Sequence, residues 1–141
     1  MPQATFYQLS EGANADNTAC QLACDAAANR QRVGIFCQNQ QQAEAVDELL
    51  WQLPANRFVP HNLYGEGPSS GTPVEIYWDA SQLGRRHLLI NLSGAMLSAP
   101  QQFQNIIDFV PNADDEKQAA RVRYKQYQQA GCAMQFKTAE E

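Results

Sequence analysis

Thr18-Ala-Cys-Gln-Leu-Ala-Cys-Asp-Ala-Ala-Ala-Asn-Arg-Gln-Arg-Val-Gly-Ile-Phe-Cys37 holds two periodicities in succession. Ala19, Leu22, Ala23 and Ala26 recur at helical spacing. Thr18 and Gln21 stand at the capping-box distance, at which a hydroxyl takes one orphan N–H and an amide reaches back to another. The spacing predicts a helix that begins at Thr18 and ends at Asn29 to Gln31. Val33-Gly-Ile-Phe-Cys37 then follows as a compact apolar run of strand length. A helix leading into a buried strand is the repeating unit of a parallel sheet, so the same alternation is sought on either side.

Upstream, Ala4 to Leu9 is short, aromatic and β-branched, a first strand followed by a polar loop from Ser10 to Asn17. Downstream, Gln41 to Trp51 places Val46, Leu49 and Leu50 on one helical face and Glu44, Asp47 and Glu48 on the other, with Pro54 as the stop. Phe58 to Pro73 contains His61, three glycines and three prolines and reads as a long loop. Val74 to Trp78 alternates as a strand does, and His87 to Leu92 is apolar enough for burial on both faces. Pro100 to Gln104 leads into a fifth strand, Asn105 to Val110, closed by Pro111, where the sheet is expected to end. A last helix is predicted over about Ala113 to Gln129, with acids in its first turn and Gly131 as its cap. The expectation is a three-layer α/β fold around a mainly parallel sheet of about five strands.

The chain has 141 residues, 44% of them hydrophobic and 18% charged, which suits one domain over residues 1–141. Ten basic and fifteen acidic residues give a net charge of −5, which opposes broad attraction to a phosphate backbone. No apolar run reaches the roughly 18 residues of a membrane span, and the N-terminus carries no secretion signal. Cys20, Cys24, Cys37 and Cys132 read as reduced thiols, so a cytoplasmic protein is expected.

Chemistry is scarce. A nucleotide-binding sheet needs a glycine loop after its first strand, but Ser10 to Asn17 offers only Gly12, no lysine, and the acids Glu11 and Asp16. Gly65 to Gly71 is a second glycine cluster, yet it precedes a strand and reads as a turn. His61 and His87 lack metal-ligand spacing, and Ser93-Gly94 is no nucleophile elbow. No catalytic set, metal site or cofactor is expected. Two features suit binding. Trp51, Leu53, Pro54 and Phe58 extend an apolar patch past the end of a helix, either as a core cap or as an interface anchor. In the last helix, Lys117, Arg121, Tyr124 and Gln128 share one face. They form either a solvated stripe paired with Asp114 and Glu116 or a surface for a carboxylate-bearing, partly apolar peptide.

Phe58-Val-Pro-His-Asn-Leu-Tyr-Gly-Glu-Gly-Pro68, followed by Thr72-Pro-Val-Glu-Ile76, closely resembles the signature of the chi subunit of bacterial DNA polymerase III holoenzyme. Ala4-Thr-Phe-Tyr7, Leu50-Trp51, Ile107-Asp-Phe-Val-Pro111 and the run from Lys117 to Lys125 are similar to that family in the same order. The resemblance implies a Rossmann-like fold without a functional nucleotide-binding loop and a non-catalytic role beside the clamp loader. It implies two partners, the psi subunit and the acidic C-terminal tail of single-stranded-DNA-binding protein. Trp51 and Phe58 would anchor psi, or an alternative helicase partner at the same patch. Val110, Lys117, Arg121 and Tyr124 would hold the tail. Two rival readings remain: a degenerate nucleotide-binding or hydrolytic enzyme using Gly65 to Gly71, and direct contact with single-stranded DNA through Arg121, Arg123 and Lys125, which the net charge disfavours.

Overall fold

A computed structural model describes residues 2–9, 14–53, 59–68, 71–84, 86–97 and 99–138. Among them run strands β1 (Gln3–Gln8), β2 (Val33–Phe36), β3 (His61–Leu63), β4 (Val74–Tyr77), β5 (Leu88–Asn91), β6 (Asn105–Val110) and β7 (Ala133–Thr138). Three α-helices join them, α1 (Ala15–Ala28), α2 (Gln40–Trp51) and α3 (Asp114–Gln129). The strands form one sheet in the order β3-β4-β2-β5-β6-β1-β7, and every pairing is parallel.

Period-two alternation in the central strands divides the core between the two faces. Val33, Ile35, Leu88, Ile90, Ile107 and Phe109 face α1 and α2, where Ala19, Ala23, Val46 and Leu50 cover them. Phe36, Leu89 and Ile106 face α3 and pack with Phe6, Phe103, Ala120 and Tyr127. The result is the three-layer, mainly parallel α/β architecture expected from the sequence.

Three sequence expectations are corrected. The sheet has seven strands, not about five, and it does not end at Pro111. After α3, Gly131 at φ +94° turns the chain: its N–H donates to Gln128 O and that of Cys132 to Tyr127 O, a Schellman closure that delivers β7 alongside β1. Part of the stretch read as a loop from Phe58 to Pro73 is strand, because His61–Leu63 pairs with Val74–Ile76. Helix α1 starts before Thr18. Asn14 is its cap, with Oδ1 accepting from the N–H groups of Asp16 (2.7 Å) and Asn17 (3.3 Å). The Thr18 hydroxyl lies inside the first turn and donates to Asn14 O.

All four cysteines are buried, and none forms a disulfide with another. Burial is the main cause that pushes the Cys20 and Cys37 thiols up to about 12, with Asp16 adding to it. They serve as small core residues rather than reactive thiols. No helix among the described residues is long and apolar enough to cross a membrane.

Candidate functional site

Two concavities compete for attention, both towards the carboxyl ends of the strands. The larger, about 590 Å³, opens where β1, β2, β5 and β6 end, the place where open parallel sheets hold their ligands. Its floor is a buried polar network. Asp108, on β6 and 2% exposed, accepts from Arg123 Nε at 3.0 Å and Nη2 at 3.1 Å, from Phe109 N–H at 2.7 Å and from the Tyr127 hydroxyl at 3.1 Å. The remaining Arg123 nitrogen donates to Gly94 O at 2.9 Å, and Asn91 Nδ2 donates to Ala95 O at 2.8 Å. Burial pushes the Asp108 carboxyl up, and the adjoining Arg123 guanidinium pulls it back down. The network ties β5 and β6 to α3, and its donors and acceptors are spent on one another.

The rim of this cavity repels phosphate. Asp16 puts a carboxylate in the first turn of α1, where a phosphate would need bare N–H groups, and Glu116 does the same at α3. Gln42, in the first turn of α2, links that helix to the start of α1 by donating to Asp16 Oδ1 at 3.1 Å, and accepts from Gln38 N–H at 2.6 Å.

The smaller groove, about 280 Å³, runs between α3 and the ends of β1, β6 and β7. It brings together Val110, Lys117, Arg121 and Tyr124, all four residues singled out from the sequence for a peptide surface, and adds Phe6, Gln8 and Phe136. Helical spacing sets Lys117, Arg121 and Tyr124 along one side of α3. Parallel register supplies the other side: Phe6 lies opposite Phe136, and Gln8 opposite both Val110 and Thr138. The Phe6 ring meets Tyr124 at 5.3 Å between centroids and Tyr127 at 5.7 Å. Aromatic walls thus stand beside two cations, and among the described residues no salt bridge joins Lys117 or Arg121 to a carboxylate. The pairing with Asp114 and Glu116 that a solvated stripe would use does not occur among the described residues. Gln128 does not line the groove. Phe136 escaped sequence reading because β7 did, although Met134-Gln-Phe-Lys137 carries the alternation of a strand.

Trp51 lies well away from this groove in the fold. It ends α2 with 58% of its surface exposed, and its ring meets the His61 ring edge-on at 4.9 Å. His61 Nδ1 stands 2.9 Å from Val59 O, and Nε2 lies 3.3 Å from Asp47 Oδ1, so the histidine is a support for the tryptophan rather than a metal ligand. Leu53 packs on the core beneath. Phe58 and Pro54, the other members of the expected patch, fall outside the described residues. Within β3, Asn62 bonds Thr72 and Leu63 O, and in the loop that follows a Cβ at Gly67 would collide with the Asn62 side chain. That glycine therefore serves packing. His87 Nδ1 accepts from Arg32 N–H at 2.9 Å.

Comparisons with known proteins bear on the family and the fold. The family described as DNA polymerase III chi subunit, HolC, matches residues 1–135. The chain belongs to the DNA polymerase III chi-subunit family. It is 45% identical over 138 residues to DNA polymerase III subunit chi of Escherichia coli (strain K12), with 93% of this chain and 94% of that one covered. It is 45% identical over 133 residues to the chi subunit of Haemophilus influenzae, with 91% of each covered. Identity to the Pseudomonas aeruginosa chi subunit is 30% over 120 residues, covering 83% and 81%. Membership places the chain among the accessory subunits of the replicative polymerase rather than with its catalytic subunit. Among solved structures, "The crystal structure of T4 UvsW" superposes with a TM-score of 0.68 at 10% identity, over 97% of this chain and 41% of that one. At that identity the likeness concerns the fold alone.

Proposed function

We propose that this chi-family chain is a replication adaptor with two docking surfaces: the α3 groove takes the acidic C-terminal tail of single-stranded-DNA-binding protein, and the Trp51 end takes the psi subunit of the clamp loader. The observation that carries the reading is the groove itself. Lys117 and Arg121, unpaired with any described carboxylate, flank Phe6, Val110, Tyr124 and Phe136 in one concavity. A peptide that ends in acidic residues and an aromatic carboxylate needs charge-assisted donors beside an apolar wall, and both are present. A local cationic groove on a chain of net charge −5 accepts an acidic peptide while the rest of the surface discourages nucleic acid.

At the other surface, an exposed tryptophan held by a histidine at the end of a helix is the kind of rigid aromatic that anchors a protein interface. Phe58, seven residues further along the sequence, is the second anchor in this reading. An alternative helicase partner would use the same anchors in place of psi. Joining two modest sites through one rigid domain raises the effective concentration of the tail near the clamp loader, so neither site needs high affinity alone.

Calorimetric titration with a synthetic tail peptide tests the first half. Binding to the wild type, weakened by about 10-fold or more in Arg121→Ala and weakened by raised salt, is expected. A wild type that takes up no peptide removes the tail from the proposal.

A further inference from the structure

The two ends of the sheet are built differently. β3 is an edge of three residues. β7 is an edge of six, Ala133-Met-Gln-Phe-Lys-Thr138, with no proline and a single charge, and it pairs with β1 alone. Native sheets blunt such edges with prolines, charges or short strands, because a row of unpaired N–H and C=O groups invites another strand. Among the described residues, no strand pairs with this edge.

Backbone direction says which groups are offered. Ala133 N–H donates inward to Pro2 O at 2.8 Å. Along a strand, the N–H and C=O of one residue point to the same side and alternate from residue to residue. Gln135 and Lys137 therefore also face β1, and Met134, Phe136 and Thr138 turn their N–H and C=O groups outward. Side chains alternate as well: Met134 packs into the α3-side cluster and Phe136 lines the groove. An added strand would run about 4.8 Å from β7 and lay every second side chain on the groove face, against a Phe136 ring that is 57% exposed.

From this geometry we infer that the free edge of β7 takes an added strand from the acidic peptide seated in the α3 groove, which extends that site by backbone pairing; the inference rests on the tail reading above. Charge favours this occupant. Lys117 and Arg121 serve the peptide's side chains on the groove face, and Lys137, one residue off in the alternation, serves those on the opposite face. A sequence-tolerant backbone ladder suits a peptide dominated by repeated acids, which offers few side chains for pockets to read.

The test uses the full chain and synthetic tail peptides of four and ten residues that share one C-terminus, titrated by fluorescence anisotropy. The ten-residue peptide is expected to bind at least about 10-fold tighter. N-methylation of its upstream amides is expected to remove that gain at every second position and to leave it intact at the positions between. Thr138→Pro deletes an outward N–H without touching the β1 ladder, and it is expected to reduce the long peptide to the affinity of the short one while sparing the short one. A flat N-methyl profile on the wild type overturns the inference, as does full length-dependence in Thr138→Pro. If the short peptide fails to bind but the long one shows the alternating profile, the edge stands and the groove reading falls. If neither binds, both fall. A mass that doubles with concentration by light scattering and reverts to the monomer in Thr138→Pro assigns the edge to a second copy, which also overturns the inference.

Discussion

The cavity at the carboxyl ends of β1, β2, β5 and β6 is about twice the volume of the α3 groove, about 590 Å³ against 280 Å³, yet it is the poorer candidate for a ligand. In the cavity, Asp108, Arg123, Tyr127 and Asn91 satisfy one another, and Asp16 and Glu116 put negative charge where the fold would otherwise attract phosphate. In the groove, cations stand without a carboxylate partner among the described residues, and two phenylalanines and a tyrosine line the walls. A site is marked by chemistry left unsatisfied rather than by volume. The polar network of the cavity has been turned to holding α3 in place, and α3 presents the groove.

That contrast can be broken or sharpened by experiment, beginning with the largest effect. Asp108→Ala leaves the Arg123 guanidinium, 7% exposed, buried without its partner, and is expected to cost about 3–5 kcal/mol of stability in urea unfolding. A cost under about 1 kcal/mol would show that the network does not hold α3. Alkaline pH comes next. Cys20 and Cys37 titrate at about 12 in the folded chain against an ordinary thiol value near 9.0, so the unfolded chain loses these protons first. Stability is therefore complete below pH 9 and falls as pH rises from about 9 to 12, by up to about 1.4 kcal/mol per pH unit for each thiol. Unfolding at a series of pH values checks the slope; a flat profile contradicts the burial argument.

How far this could be foreseen depended on where each signal lay along the chain. β2, β5 and β6 are legible because a strand buried on both faces is nearly all apolar, as in Val33-Gly-Ile-Phe36 and Leu88-Leu-Ile-Asn91. β3 is not, since three residues beginning His-Asn between proline and glycine carry no period at all. β7 was missed for the opposite reason: its Met134 and Phe136 do alternate with Gln135 and Lys137, but it is an exposed edge that follows a well-formed helical stop. The start of α1 was misplaced because Thr18-x-x-Gln21 imitates a capping box within a helix that Asn14 already caps. In the groove, the α3 residues follow from helical spacing. Phe6 and Phe136 lie 130 positions apart in the sequence, and only the β1–β7 register makes them neighbours.

The next predictions concern the groove and the aromatic patch. Arg121→Ala is expected to weaken tail binding by about 1.5–3 kcal/mol and to leave unfolding within about 0.5 kcal/mol of wild type, because its guanidinium is exposed and meets no described carboxylate. Asp108→Ala behaves in reverse, with stability lost first, and finding the same profile for both variants would erase the distinction between the two regions. Trp51→Ala removes an exposed ring and is expected to change stability by less than about 1 kcal/mol, while complex formation with psi, followed by size-exclusion chromatography, is lost. The smallest effect belongs to the cavity as a ligand site. Millimolar nucleotide is expected to leave the melting temperature unchanged, whereas a rise would mean that the acid-lined cavity binds after all.

Amide chemical-shift mapping of the full chain during titration with the acidic tail peptide sets the two regions against each other in a single measurement. The account predicts shifts concentrated at Gln8, Val110, Lys117, Arg121, Tyr124 and Phe136. Shifts centred instead on Asp16, Gln42, Ser93 and Gly94, with α3's outer face silent, would contradict it.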